Sequence, residues 1–126
     1  MPFEFQTSSH GVLAVGVDSL ALADGYEVIE SARAHRDLGS VVVDVTDAHL
    51  VTPLATDAEL GEMHFLARKL RELHATGPFR FAVAADEQWA LMCADFIELA
   101  RSVASDLDAR TFATRAEATA WAESDR

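Results

Sequence analysis

"SVVVDVTDAHLVTP", residues 40–53, decides the fold. Its first half is a β-branched run with apolar residues on both faces, which is how a strand reads when a parallel sheet covers it on both sides. Asp44 interrupts that run near its end, where the strand gives way to a loop. Open α/β sheets gather their ligands at the carboxyl ends of strands, so three roles compete for this carboxylate. It is a phosphoacceptor, a metal ligand, or an acid whose oxygens take N–H bonds from the turn that follows.

The segments on either side supply the rest of a layered sheet. "FEFQT" (3–7) alternates apolar and polar residues and "GVLAVGV" (11–17) follows a polar turn, so the two read as a hairpin forming one edge. "LADGYEVIESARAHRDLG" is helical by pattern, with Tyr26, Ile29 and Ala32 at three-residue spacing, Asp24 and Glu27 at capping-box spacing and Gly39 as the stop. The strongest helix spans 57–75, with Leu60, Met63, Leu66, Leu70 and Leu73 on one stripe and Ala67 filling it. Thr56 and Glu59 have the spacing of its capping box, acids crowd its start, and Arg68, Lys69 and Arg71 lie toward its end, as the macrodipole favours. "RFAVAA" (80–85) is a second buried strand, and Asp86 caps a helix to about Ala104 whose core face carries Trp89, Met92, Cys93, Phe96, Leu99, Ala100 and Val103. "DARTF" (108–112) is a short last strand, and Thr114 with Glu117 opens a terminal helix bearing Trp121. The order is β-β-α-β-α-β-α-β-α. This predicts one α/β domain over residues 1–126, a mixed central sheet of about five strands with about four helices and right-handed crossovers.

Composition narrows the partners. Lys plus Arg is 10 against Asp plus Glu at 21, and a net charge of −11 repels nucleic-acid phosphates and anionic lipid surfaces alike. Membrane insertion is not expected either, since the fully apolar stretches fall far short of the roughly 20 residues a span needs. The start, "MPFEFQTSSH", has no basic and then apolar leader, and the single Cys93 leaves no internal disulfide; both point to a reducing cytoplasm.

"FRFAVAADEQWALMCADFIELA" followed by "ARTFATRAEATAWAE" resembles the end of the STAS-like family often called SpoIIAA-like, related in fold to anti-sigma-factor antagonists. In that family a strand of the type x-x-A-V-V precedes a helix and the chain ends in V-x-V-F and E-A-x-x-W-L. Phe112, Glu117, Ala118 and Trp121 fall at those places, with Ala122 where the family commonly has Leu. The specific match covers about twenty residues and is structural in character. The resemblance implies a STAS-like sheet and a loop after the 40–45 strand that carries D-S-S-G in phosphoregulated members. Thr52, Pro53, Leu54 and Ala55 stand at those four positions, so the phosphorylatable serine is absent. Thr52 or Thr56 would have to replace it, and Thr56 already serves as a helix cap.

The remaining residues specify no reaction. A receiver-type phosphoacceptor needs an acid pair, a lysine after the last strand and a nearby proline; "TFAT" has no lysine, Pro53 lies well downstream and Asp18 stands alone. Asp44 is therefore read as a turn acid. His64 and His74 on one helix lie about 80° apart and some 15 Å along its axis, too far to share a metal, and Asp47 with His49 makes only two ligands. No metal site and no cofactor is expected. Cys93 falls on an apolar stripe and reads as a small hydrophobe. G-x-S-x-G, G-x-G-x-x-G and P-loop patterns are missing, and no catalytic residue is assigned.

A complete fold beside a missing reaction site leads to a non-catalytic cytoplasmic module that docks to another protein or pairs with itself as a homodimer. By analogy with the antagonists, its contact surface is the 57–75 helix with the loop 46–56, where Asp44, His49, Val51, Thr52 and Leu54 are the candidate residues. The alternative is a carrier or sensor for a small apolar, lipid-like ligand, because the family also resembles the CRAL-TRIO lipid-binding fold. Phe65, Phe79, Phe81, Trp89 and Phe96 would line its pocket, although the same rings read more simply as core.

Overall fold

A computed structural model describes residues 3–7, 11–17, 19–20, 24–34, 39–46, 48–50, 57–76, 79–103 and 107–124. The elements in chain order are β1 (Phe3–Thr7), β2 (Val12–Gly16), β3 (Ser19–Leu20), α1 (Gly25–Ala34), β4 (Ser40–Asp44), β5 (His49–Leu50), α2 (Asp57–Thr76), β6 (Arg80–Ala84), α3 (Glu87–Val103), β7 (Asp108–Phe112) and α4 (Arg115–Glu123). The main sheet has five strands in the order β1-β2-β4-β6-β7. β1 is antiparallel to β2, and every other pair is parallel. This is the expected mixed sheet with four helices, its hairpin at one edge. The structure adds the two-residue pair β3–β5, where Ser19 meets His49 and Leu20 meets Leu50. It extends the β2–β4 pairing beyond the main sheet, and two residues are too short to show a period in sequence.

Each parallel strand is added on the same side of the one before it. Right-handed crossovers that all step in one direction place their helices on a single face. The core divides accordingly. Val28 and Ala32 of α1, Ala67, Leu70 and Leu73 of α2, and Ile97 and Ala100 of α3 share one cluster with Ala14, Val41, Val43, Phe81, Val83 and Ala109. The opposite face is left to α4, whose Ala118 and Ala122 pack on Val42, Ala82 and Ala84, with Leu13, Phe112 and Trp121 around them. β4 and β6 lie under both layers and every residue of each is buried. α4 contacts β4, β6 and β7, so β2 keeps an alternation in which Val12, Ala14 and Gly16 are buried while Leu13 and Val15 are half-buried.

Two glycines have positions that a side chain would spoil. A Cβ on Gly11 would collide with the Ser40 carbonyl, where β2 and β4 begin side by side. Gly39 has φ +87°, in the left-handed region, and from there its carbonyl accepts the Arg80 N–H at 3.0 Å.

One core expectation is corrected. Phe65, grouped by sequence with the core or pocket rings, is 48 % exposed. The α2 stripe that turns inward is Leu66, Ala67, Leu70 and Leu73, all buried, and Phe65 lies about 100° around the helix from Leu66. Leu60, Met63 and Trp89 have side chains outside the described residues.

Candidate functional site

Asp44 is the last residue of β4 and, at 3 % exposure, is buried at the carboxyl end of the sheet. Its Oδ1 accepts the Thr46 amide at 2.9 Å and the Thr46 hydroxyl at 2.6 Å. Its Oδ2 accepts Arg115 Nε at 2.6 Å. The strand end is closed by further backbone bonds: Val45 N–H donates to the Ala84 carbonyl at 2.9 Å and Ala48 N–H to the Val45 carbonyl at 3.2 Å. Asp44 is thus the turn acid that the sequence favoured, with a cation added from the far end of the chain.

Burial alone pushes the Asp44 carboxyl up. The hydrogen bonds from the Thr46 hydroxyl and amide, then the bond and the charge of Arg115, outweigh it and hold the group below its ordinary value. The carboxylate is therefore anionic near neutral pH, with both oxygens taking donors. Its task is to hold the loop and α4.

Arg115 was not singled out by sequence, although a signal exists. It is the first residue of α4, where the macrodipole disfavours a cation, and a base placed there against the dipole implies an acid nearby in space. Among the candidate surface residues, Asp44 turns inward and His49 lies in β5, its side chain outside the described residues. Val51, Thr52 and Leu54 also lie outside them, as do Thr56 and Asp47.

The other end of α4 is held by Arg80, the first residue of β6. Its Nη1 donates to the Trp121 carbonyl at 2.6 Å, the Ser124 carbonyl at 3.0 Å and Ser124 Oγ at 2.7 Å. Its Nε lies 3.6 Å from Asp108 Oδ2. The Arg80 and Arg110 guanidiniums both lie on the Trp121 ring, at 5.3 and 5.2 Å, and Phe112 packs on it at 5.6 Å. At the N-terminus the Glu117 amide donates to Thr114 Oγ1 at 3.2 Å, as the capping-box spacing implies. Phe112, Glu117, Ala118 and Trp121, the residues that carry the family resemblance, all serve in seating this helix.

On the opposite face the exposed Phe65 forms a small patch. Its ring meets Tyr26 edge-on at 5.7 Å, and Lys69 Nζ sits 5.4 Å above it. Among the described residues Phe65 is the only large hydrophobic side chain left exposed.

Cys93 is half-buried against the main core, as are Phe96 and Leu99. Burial, with a smaller contribution from the charge of Asp86, pushes its thiol up to about 12. Among the described residues no three His, Cys, Asp or Glu side chains come together as a metal site, and no helix is long and apolar enough to cross a membrane.

Fold and site together define a singly wound α/β protein with a buried carboxylate that bonds Thr46 and Arg115 at the end of β4. No family model matches the chain, and no curated protein matches it.

Proposed function

We propose that this chain is a non-catalytic, cytoplasmic STAS-like module that works by docking to protein, through the exposed face of α2 that carries Phe65. The Phe65 patch carries this reading. An aromatic side chain 48 % exposed on α2, next to Tyr26 and under Lys69, leaves apolar area in water that a partner would cover. The motif residues shared with the STAS-like family support the same class, and Asp44, engaged on both oxygens, leaves the strand end without a reactive acid. Partner exchange here does not use a D-S-S-G serine, since Pro53 and Leu54 occupy its place.

Site-specific photocrosslinking tests the docking face. A photoreactive residue at position 65 should form an adduct with a polypeptide in native cell extract, one at the exposed Ala116 on α4 should not, and Phe65→Glu should abolish the interaction. Equal adducts at both positions, or none at 65, refute this surface.

A further inference from the structure

We infer that the free edge of β7 is a second docking surface, made for a second copy of this chain, which pairs with it antiparallel about a two-fold axis at Ala109. This names one partner within the docking reading and rests on it, but uses a different face.

Among the described residues β7 has a neighbour on one side only, β6, and strand order leaves it at the end of the sheet opposite β1. The Phe112 carbonyl accepts Ala85 N–H at 2.9 Å, so Phe112 turns its backbone groups inward. Alternation along a strand then turns those of Arg110 inward and those of Ala109 and Thr111 outward. An outward row of N–H and C=O groups is a template for another strand.

Side-chain charge selects both partner and register. Asp108 and Arg110 are exposed and point to the same face of the sheet as Trp121. With the axis at Ala109, Ala109 faces its own copy as a hydrogen-bonded pair and Asp108 faces the Arg110 of the second copy, twice. These are the non-hydrogen-bonded positions, where side chains come closest. Moving the axis to Arg110 would set two guanidiniums against each other. Asp108 retains its contact with Arg80 in such a pair because a carboxylate accepts several donors, and Arg110, over the Trp121 ring at 5.2 Å, carries five N–H donors with which to meet the partner's carboxylate.

The surroundings agree with self-pairing. An open groove of about 630 Å³ runs between α3 and β7, lined by Glu98 and Arg101 on the helix and Asp108 and Arg110 on the strand. Each element contributes one acid and one base, so these four side chains sum to zero on a chain of net charge −11. β1, the other edge, carries Glu4 as its one charge and has no such self-complementarity.

Light scattering with charge reversal tests the register. The wild-type chain should run at twice 13.7 kDa, about 27 kDa. Asp108→Lys and Arg110→Glu alone should each weaken pairing about tenfold or more, because like charges then face each other twice. An equimolar mixture of the two variants should return to the dimer mass, since every cross-strand pair in the mixed dimer is again opposite in sign. Thr111→Pro removes an outward N–H while leaving all charges, and should be monomeric; circular dichroism confirms that each variant is folded. Phe65→Glu should remain dimeric, which separates this surface from the α2 face. A monomeric wild type, variants that stay dimeric, a mixture that stays monomeric, or loss of the dimer in Phe65→Glu would each overturn the proposal.

Discussion

Asp44 and Arg115 join two places that lie far apart in the chain, and removing either leaves the other in a different state. Arg115 has a side chain 44 % exposed, so without Asp44 it is still hydrated; Asp44, 4 % exposed, has no such recourse without Arg115. Arg115→Ala should therefore cost about 2 kcal/mol in urea unfolding and Asp44→Asn about 1 kcal/mol, with a double-mutant cycle giving less than the sum. Equal, additive losses would show that the pair is not coupled. Because the folded-state value of Asp44 lies below the unfolded one, its contribution is complete above about pH 4 and is lost as pH falls through the folded value. Asp44→Asn should lack that part of the acid-induced loss. Cys93, half-buried against the core and with its thiol raised to about 12, should react slowly with a thiol reagent at neutral pH, and labelling should accelerate in urea.

At the scale of the element, α4 is a nine-residue helix that, among the described residues, covers one face of the sheet alone, and isolated helices of that length are marginal in water. Its stability comes from its ends and its alanines. Ala118 at 0 % and Ala122 at 8 % exposure let the helix lie close to Ala82 and Ala84, while Arg80 bonds the Trp121 and Ser124 carbonyls at its C-terminus. Arg80→Lys should not restore what Arg80→Ala loses, about 2 kcal/mol, because one ammonium cannot both bond these oxygens and stack on Trp121. Hydrogen exchange should show the loss in α4 ahead of α2. Thr114→Ala, at the other end, should cost about 1 kcal/mol through the lost cap.

Over the whole molecule, 21 acids against 10 bases make self-repulsion a standing cost near neutral pH. Salt screens that repulsion, so added sodium chloride should raise the urea midpoint. Lowering the pH toward the isoelectric point near 4.6 relieves the same repulsion, while going below pH 4 removes the Asp44 contribution. Stability should thus peak on the acid side of neutrality and fall steeply below about pH 4, as thermal unfolding across pH would show.

The five strands of the main sheet, the helices and their order followed from local chemistry alone: apolar period, β-branched runs such as Val41 to Val43, and side-chain caps such as Thr114 with Glu117 act within a few residues and are therefore written in the chain. The turn role of Asp44 was legible for the same reason, since Thr46 is two residues away. Tertiary structure alone decided that Arg115 reaches Asp44, that Arg80 closes α4, that Phe65 faces solvent while Leu66 beside it is buried, and that β7 rather than a covered strand ends the sheet. Each of these depends on which surfaces meet after the chain has crossed the sheet, and a one-dimensional pattern holds no record of that encounter.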